Sequence, residues 1–559
     1  MIRPIARPVM RPIASAIANA IHRMTPADLF QDGTIGVWYD PSDFTTLYQD
    51  AAGTTPVTAL EQSVGLMLDK SRGLAVGAEA FANTFDSVGV GWSYSNGTLT
   101  AAAASSGNSS YANVVTNNRR YIVTFTVTRT AGTLQFYQSG TLISSIIASG
   151  TYTYRSMGTG GNNRLQFTSS GFEGAITGIS IKEIAGNHAY QTTSGARPVV
   201  TARVNQLLNT GFAGAVAGTP GTAPTSWTFP VSGGATAISG STITLSATAA
   251  RHFIGQSVTV NASQSYTATA KIGLVSGSIL INQAMSIAGT AAGGTISYFV
   301  NGVAASATDA LPAGENTISA VLTAAVGGGT FEVRLGVGVG GFPTASVTVR
   351  DPDLRLTIDA NSRIPSYQRV TTATDYDSAG FPIRLRANGA GQFMQTAAID
   401  WTGTDAVTAW VGVRKLSDAA TAVVFESSAA SDTIAGTFSM VAPSASGANS
   451  YRFASRGSAS ATAGTGVFAA APNSSVLTGI ADISADSCTL RRNGAQVESV
   501  STDQGTGNYT SQPLYLFSRA GSSLWLNGSF SSLVIVGKAC SAQQVQAIEA
   551  WTNQRTRAY

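Results

Sequence analysis

The sequence predicts a mainly β protein built from several β-sandwiches, and three observations support this. Stretches such as YIVTFTVTR (residues 121–129) alternate β-branched and polar residues with a period of two, as strands with one buried face do. Only 11% of the 559 residues are charged, and 60 glycines can supply tight turns. The 43% of hydrophobic residues can fill several cores, and the length allows about three or four domains.

The composition also limits the partners. The formal net charge is only +4 and no lysine-rich stretch occurs, so nucleic acid is not a predicted partner. No run of about 18 apolar residues occurs, so no membrane insertion is predicted. The two cysteines, Cys488 and Cys540, could form a disulfide or stay free thiols, and the sequence leaves both interpretations open.

Residues 1–32 are predicted to form an N-terminal anchor peptide followed by a short helix. Arg-Pro pairs recur every four residues and do not fit a helix interior, so this part should be extended. Isoleucines four residues apart then favour a short helix, which one thin apolar stripe cannot stabilise alone. We expect the segment to bind a partner or symmetry-related copies; a frayed terminus and a signal peptide are the alternatives. The predicted anchor residues are Arg3, Pro4, Arg7, Pro8, Arg11, Pro12, Ile13, Ile17 and Ile21.

The next residues carry separate helix, strand and turn signals. Thr25 followed by Pro26 is typical of a helix start. Residues 35–39 favour a strand and Asp40–Asp43 a turn, and a further strand is expected at 65–68.

Two stretches, residues 74–185 and 204–357, share the same alternation of β-branched and polar residues and are predicted to be two copies of a module. Each opens on an asparagine and a phenylalanine and continues to a tryptophan, Trp92 in the first and Trp227 in the second. In this they resemble jelly-roll carbohydrate-binding modules. We expect both tryptophans to fill module cores, with sugar stacking as the alternative.

Residues 358–559 again alternate as strands do. The pair Asn493-Gly494 is the strongest hairpin signal in the chain. The tail, residues 541–557, favours a helix whose apolar face carries Val545, Ile548 and Trp551.

Three separated stretches resemble one family. LDKSRG with the strands before it, then GNHAYQTTSGARPVV, then DYDSAGFPIRLRANG are similar to laminin-G-like, concanavalin-type jelly-roll domains, especially those of tailed-phage structural and tail-fibre-like proteins. The resemblance implies a discontinuous laminin-G-like jelly-roll sandwich of residues 33–73, 186–203 and 358–559. Two inserted jelly-roll β-sandwich modules, 74–185 and 204–357, would interrupt it. At the family's Phe-Asp-Gly position this chain has Arg386-Ala387-Asn388-Gly389, so an acidic residue that could meet a metal is missing.

The nested arrangement makes a geometric prediction. Surface loops tolerate long insertions, because the entropy of loop closure grows slowly with length. Gly73 should therefore lie near Gly186, and Asn205 near the region of Asp375. The alternative is four tandem domains, which would leave short strands with unpaired edges.

No catalytic constellation is evident. The histidines His22, His188 and His252 are far apart in the sequence, and His188 is expected to make structural hydrogen bonds. No G-x-S-x-G elbow, zinc-ligand spacing or glycosidase E-x-D-x-x-E pattern occurs. The nearest carboxylate pairs should cap turns, although calcium at one of them stays open. These pairs are Asp40/Asp43, Asp351/Asp353, Asp375/Asp377 and Asp400/Asp405. The sequence thus predicts no enzyme and, calcium apart, no cofactor.

Rings, amides and arginines in predicted loops are the candidate glycan-binding residues, since rings stack on sugars and polar groups bond their hydroxyls. The first module offers Tyr152, Tyr154, Arg155, Asn162, Asn163 and Arg164, and the laminin-G-like sandwich offers Arg519, Trp525 and Asn527.

The resemblance implies a non-enzymatic virion protein of a tailed phage, a fibre or appendage on the particle surface. It would bind other virion proteins through residues 1–30, form a homotrimer and adhere to host-surface glycans. The alternative is a purely structural capsid or tail decoration or connector protein without ligand binding. A secreted glycan-active enzyme is a third class.

Overall fold

The computed structural model describes residues 24–102, 107, 109–464 and 469–559. The predicted anchor residues and His22 lie outside these ranges. Within them strands predominate, which confirms the predicted mainly β class. No helix of the described part is long and apolar enough to cross a membrane.

The first elements are short. They are a 3-10 helix, Pro26–Leu29, strand β1, Gly36–Tyr39, a 3-10 turn, Phe44–Thr46, and strands β2, Leu47–Tyr48, and β3, Leu66–Met67. The helix begins after Thr25, as predicted, and the backbone N–H of Thr25 donates to the Asp28 carboxylate at 2.7 Å.

Residues 76–184 form one eight-stranded sheet that curls around its own core. Its strands are β4, Val76–Glu79, β5, Trp92–Ser95, β6, Thr98–Ala101, β7, Ser109–Ala112, β8, Arg120–Gln138, β9, Thr141–Ile146, β10, Gly150–Met157, and β11, Leu165–Ile184. The rings of Phe125 and Phe136, both in β8, lie 5.3 Å apart. A straight strand would separate them by roughly 35 Å, so β8 folds back on itself. Trp92 lies in this core, as expected.

The chain then returns to β3. The elements are β12, Ala189–Tyr190, a 3-10 turn, Ser194–Ala196, and β13, Val199–Thr201. Strand β12 pairs with β3, with Ala189 opposite Met67.

Residues 228–356 form two facing sheets. The strands are β14, Thr228–Ser232, β15, Ala235–Ser239, β16, Thr242–Ala247, β17, His252–Val260, β18, Ser265–Gly277, β19, Met285–Ala288, β20, Ser297–Val300, β21, Val303–Ala305, β22, Gly314–Thr323, β23, Gly329–Val337, and β24, Ala345–Leu356. Helix α1, Ile281–Ala284, precedes β19, and a 3-10 turn, Thr357–Asp359, follows β24. The sheet orders are β14-β17-β23-β19 and β15-β16-β24-β18-β22-β20-β21. Trp227 lies in the shared core, as expected.

The last part of the chain supplies most of a larger sandwich. Its strands are β25, Arg384–Asn388, β26, Met394–Ile399, β27, Ala406–Lys415, β28, Val423–Ser427, β29, Thr437–Val441, β30, Arg452–Arg456, β31, Ser460–Ala463, β32, Asn473–Asp482, β33, Ser487–Arg492, β34, Ala495–Val500, β35, Gln512–Leu516, and β36, Asn527–Val536. Asn493 and Gly494 join β33 to β34 with φ of 51° and 81°, which confirms the hairpin. The tail forms helix α2, Ala542–Thr556, and its predicted apolar face is buried.

The two sheets of this sandwich combine three separate stretches of chain. One sheet has the order β13-β25-β36-β27-β32-β33-β34, with β1 also paired to β36. The other has the order β2-β3-β12-β26-β35-β28-β29-β30-β31. A single core fills the space between them, and α2 packs on Trp410 and Val534.

A junction of buried polar groups closes the sandwich where the chain leaves it and returns. We call Asp69, Ser71, Asn187 and His188 the first junction. The Asp69 carboxylate is fully buried and accepts hydrogen bonds from the N–H groups of Trp38, Ser71 and Asn187 at 2.7 to 2.8 Å, and from the Ser71 hydroxyl. Next to this junction along the chain, the N–H of residue 185 donates to the carbonyl of residue 75 at 2.9 Å.

His188 fixes the same junction from the other side. Its Nδ1 accepts the N–H of Asp69 at 3.0 Å, and its Nε2 lies 3.1 Å from the carbonyl of Ile184. The first bond requires a neutral Nδ1, so Nε2 carries the proton and donates it to Ile184. Burial lowers the pKa of His188 to about 3. The expected structural role of His188 agrees with these bonds.

A second junction joins the other pair of chain crossings. The Asn205 amide donates to the carbonyls of Pro352 and Gln368, at 3.1 and 2.9 Å. The Gln368 side chain accepts the N–H of Asn205 at 3.1 Å and donates to the carbonyls of Ala202 and Asp377. Residues around Asn205 therefore contact residues close to Asp375 in the sequence.

Replacing Asp69 tests the first junction. In Asp69→Ala four donors lose their shared acceptor inside the protein, and we expect the free energy of unfolding to fall by about 3 kcal/mol or more. Asp400→Ala is the matched control, because Asp400 is exposed and caps a turn at Thr402. That control should lose about 1 kcal/mol or less. Urea unfolding followed by tryptophan fluorescence measures both, and equal losses would contradict the role of the junction.

The buried neutral His188 also predicts a dependence on pH. Its pKa is about 3 in the fold against 6.5 in a model peptide, so between these values the unfolded chain binds a proton that the folded chain does not. The stability that His188 contributes is therefore present above pH 6.5 and is lost as the pH falls towards 3, by up to roughly 1.4 kcal/mol per pH unit. Burial raises the pKa of Asp69, which acts in the opposite sense. The slope should thus be read as the difference between the natural chain and His188→Gln, and an unchanged slope in the variant would refute the prediction.

Candidate functional site

A groove lies on the outward face of the seven-stranded sheet in residues 235–356. Along β18, Tyr266, Ala268 and Ala270 enter the core, so Thr267 and Thr269 face the other way. The same alternation turns Phe299 of β20 outward. Thr317, Ser319 and Val321 of β22 complete the floor of a groove of about 610 Å³.

The segment after β24 forms the wall of this groove. Arg355 holds it in place, because its guanidinium donates to the carbonyls of Asp359, Pro365 and Ser366 at 2.8 to 3.2 Å. The same guanidinium pairs with the buried carboxylate of Asp353, with Nε 2.6 Å from Oδ1. Burial raises the pKa of Asp353, and the pairing with Arg355 opposes that effect. Asn361 and Ile364 also line the wall.

The floor offers hydroxyl groups beside one half-buried ring. The hydroxyls of Thr267 and Thr357 lie 3.1 Å apart, and those of Thr269 and Ser319 lie 3.2 Å apart. Each hydroxyl has one proton and two lone pairs, so each pair retains unused capacity for a ligand. Phe299 adds an apolar face for stacking. Among the described residues no Asp, Glu or His lines the groove, so its chemistry is hydrogen bonding and stacking.

Three predicted glycan-binding residues lie in a strand and not in a loop. Tyr152, Tyr154 and Arg155 belong to β10, where Tyr152 and Tyr154 pair with Phe125 and Val123 of β8. Both tyrosine rings pack partly against the core, parallel to each other at 6.3 Å. The loop prediction was wrong because Thr-Tyr-Thr-Tyr is itself a period-two strand pattern. Arg155 is exposed.

The other three residues of this set do lie in a loop. Asn162, Asn163 and Arg164 connect β10 to β11. The Asn162 side chain accepts the N–H of Arg164 at 3.1 Å, and the Arg164 guanidinium stacks on Tyr111 at 3.8 Å from the ring centre. These side chains therefore stabilise the loop, and their part in sugar binding stays a prediction.

The three candidate glycan-binding residues in the larger sandwich have different surroundings. The guanidinium of Arg519 is bound by the carboxylates of Glu426 and Asp432, which leaves it little capacity for sugar hydroxyls. Trp525 packs on Phe393 with ring centres 5.9 Å apart. Asn527 begins β36 opposite Asn388. The binding role of these three residues also stays a prediction.

The carboxylate pairs differ from one another. Asp40, Asp43 and Asp400 cap turns as expected, each accepting the N–H two residues on. Asp351 and Asp353 do not: they lie in β24 and pair with Arg350 and Arg355. The turn-capping prediction was wrong for these two residues because each has an arginine one or two residues away on the same strand. In the described part of the chain no three His, Cys, Asp or Glu side chains lie close enough together to hold a metal ion.

Both cysteines are free thiols, which rules out the disulfide alternative. Cys488 is buried, and burial raises the pKa of its thiol to about 12. Burial also raises the pKa of the Cys540 thiol, so neither thiol is poised as a nucleophile.

Sequence reasoning missed the groove around Phe299. The available signal was Asn301-Gly302, which follows Phe299 closely and has φ values of 51° and 81°. Such a pair predicts a tight hairpin and therefore the alternation that turns Phe299 outward. The remaining lining residues come from β18, β22, the end of β24 and the segment after it, which are distant from Phe299 in the sequence.

Comparison with known proteins identifies the class of one domain. Residues 362–546 match the family model described as the Concanavalin A-like lectin/glucanases superfamily. The match confirms the predicted laminin-G-like, concanavalin-type domain, and this chain carries a domain of that class. The matched residues are fewer than half of the chain. No curated protein matches the sequence.

Several solved structures are similar to parts of this chain. A mutant of the NanB sialidase from Streptococcus pneumoniae is 16% identical with a TM-score of 0.22, over 30% of this chain and 27% of that one. The CBM40 of the Ruminococcus gnavus IT-sialidase, bound to α2,3-sialyllactose, is 14% identical with a TM-score of 0.22, over 28% and 97%. The binding domain of botulinum neurotoxin DC in complex with SialylT is 10% identical with a TM-score of 0.24, over 31% and 43%. This chain therefore spans about a quarter of the sialidase and nearly all of the CBM40.

Proposed function

We propose that this chain is a non-enzymatic adhesion protein that binds glycans. The observation that carries the proposal is the groove around Phe299, where a half-buried ring lies among paired hydroxyls and where none of the described lining residues is Asp or Glu. Neutral sugars present apolar ring faces and many hydroxyls, which this combination complements. A purely structural decoration or connector role, with the sandwiches acting as spacers, is the second candidate, favoured by the many hydroxyls of the groove that bond to one another.

We also propose a nested domain organisation. Residues 33–73, 186–203 and 358–559 would form one concanavalin A-like sandwich, with 74–185 and 204–357 as two sandwiches inserted in it. Support comes from β1–β3, β12 and β13, which share sheets with the strands after residue 384. The first inserted part also docks on its host, since the guanidinium of Arg120 lies 4.3 Å from the ring centre of Tyr48.

The setting that we propose is a tailed-phage particle. The resemblance of the separated stretches to tail-fibre-like proteins supports a surface appendage that contacts host glycans. The Arg-Pro repeats support attachment to other virion proteins through residues 1–30. A homotrimer would place three copies of each groove on one appendage and raise avidity without new contacts.

Replacing Phe299 tests the groove. In Phe299→Ala the stacking face is lost, and we expect binding to the glycans that the natural chain selects on a glycan array to weaken by about tenfold. Phe342→Ala is the matched control, since Phe342 is 70% exposed in the same inserted sandwich but does not line the groove. Isothermal titration with the selected glycan measures the change.

Two outcomes of that experiment would contradict the proposal. If the natural chain retains no glycan, the structural role is favoured. If both variants bind as the natural chain does, the glycan site lies elsewhere. Release of shorter products from a bound polysaccharide would instead show an enzyme.

Removing residues 1–24 tests the anchor. If the Arg-Pro segment binds other virion proteins, the truncated chain should be absent from purified particles while it still folds. Circular dichroism checks the fold, and immunoblotting of particles checks incorporation. Incorporation at the natural level would refute the anchor.

A further inference from the structure

The outward face of β28–β31 carries a second, chemically different cavity. Across these strands Thr437 pairs with Arg456, Ser439 with Ala454, and Val441 with Arg452. Phe438 and Phe453, one residue further along, enter the core. The period of two therefore places Thr437, Ser439, Arg452 and Arg456 on one face. They line a cavity of about 130 Å³, which Thr462 and Asp432 help to close.

The neighbouring arginine is already neutralised. Arg519 lies beside this face with its guanidinium between Glu426 and Asp432, 3.0 Å from the nearest Glu426 oxygen. Glu426 is fully buried and also accepts the N–H of Ser431 at 2.7 Å. Both carboxylates near the cavity are thus committed to Arg519.

Arg452 has no such partner. Within the described residues its side chain forms no hydrogen bond and no ion pair, and its Nε is buried. In the described part of the chain, Arg456 donates only to the backbone carbonyl of Asp432, at 2.9 Å, and its Nε is also buried without a partner. The hydroxyl of Ser439 is the third such atom, in a side chain that is 1% exposed.

Unsatisfied donors of this kind are costly. A buried polar atom that bonds neither water nor protein loses its full hydration, so native proteins rarely leave one. Twelve other side-chain atoms of this kind are spread over the rest of the described residues, but here three of them belong to residues that line one cavity. The charges of Arg452, Arg456, Arg519, Glu426 and Asp432 add up to 3 − 2 = +1, so the cluster has an excess of positive charge.

We propose that this cavity binds the carboxylate of an acidic sugar, with Arg452 and the Ser439 hydroxyl as its principal donors. This site is distinct from the groove around Phe299 and does not rest on the function proposed for it. A guanidinium can donate two parallel hydrogen bonds to a carboxylate, the geometry that such a group favours.

A sugar fits the cavity better than a bare carboxylate. Ser460 and Thr462 line the remaining wall with hydroxyls, and 130 Å³ exceeds the volume of a carboxylate alone. A hydroxylated ring that carries one carboxylate can use both the arginine and these hydroxyls. An acidic peptide would offer the carboxylate but an apolar linker in place of the hydroxyls.

The experiment is a titration of the full chain with D-glucuronate, D-glucose, acetate and a glutamate-rich peptide, followed by calorimetry. We expect glucuronate to bind, and glucose and acetate to bind at least about tenfold more weakly. Arg452→Gln removes the charge and keeps most of the length, and should weaken glucuronate binding by about tenfold or more. Arg557→Gln, at an exposed arginine beyond α2, should change nothing.

Ser439→Ala separates binding from folding. Because the Ser439 hydroxyl has no partner in the protein, its removal should leave the melting temperature unchanged or higher and still weaken glucuronate binding several-fold. The proposal is overturned if glucuronate does not bind, or if Arg452→Gln binds it as the natural chain does. Equal binding of acetate or of the peptide would overturn the assignment to an acidic sugar. Loss of binding in Phe299→Ala alone would place the ligand in the other groove.

Discussion

The buried carboxylate of Asp69 is the contact on which the arrangement of the sandwiches depends. Between Asp69 and Asn187 the chain runs through the whole eight-stranded sheet of residues 76–184, yet the N–H of Asn187 lies 2.7 Å from that carboxylate. The entropy cost of closing a loop grows only logarithmically with its length, so the buried hydrogen bonds of this junction offset part of that cost. Immediately beyond it β3 pairs with β12, and the register of the nine-stranded sheet follows from that pairing.

Local patterns made much of this fold predictable. The alternation of β-branched and polar residues predicted the strands, and Asn493-Gly494 predicted its hairpin. The separated stretches LDKSRG and GNHAYQ contain Asp69 and His188, which contact each other in the structure. The bend of β8 was not predictable, because Phe125 and Phe136 lie on one continuous alternating stretch and the bend depends on register shifts against β11. Bulges of that kind leave a weak trace in the sequence.

The binding surfaces were less predictable, because their decisive contacts join distant residues. Arg519 stood out as a polar loop residue, but its partners Glu426 and Asp432 lie far away in sequence, and nothing local shows that its charge is already matched. The groove around Phe299 likewise combines β18, β20 and β22 with the wall that Arg355 fixes. A ring or an arginine becomes a candidate only when its neighbours are known.

Other buried or partly buried arginines of the chain have partners, and Arg452 differs from them. Arg355 pairs with Asp353, Arg414 with Asp359, and Arg491 with Glu549. Arg120, which forms no ion pair with any described residue, stacks on Tyr48 and donates to a backbone carbonyl. Arg452 has neither kind of contact among the described residues, and burial lowers its pKa although the charges of Asp432 and Glu426 oppose that effect. Individual nitrogens of Arg120, Arg414 and Arg456 also lack a partner, but each of those side chains makes at least one other hydrogen bond or ion pair, whereas Arg452 makes none among the described residues. That difference supports the proposal of a ligand that brings its own negative charge to Arg452.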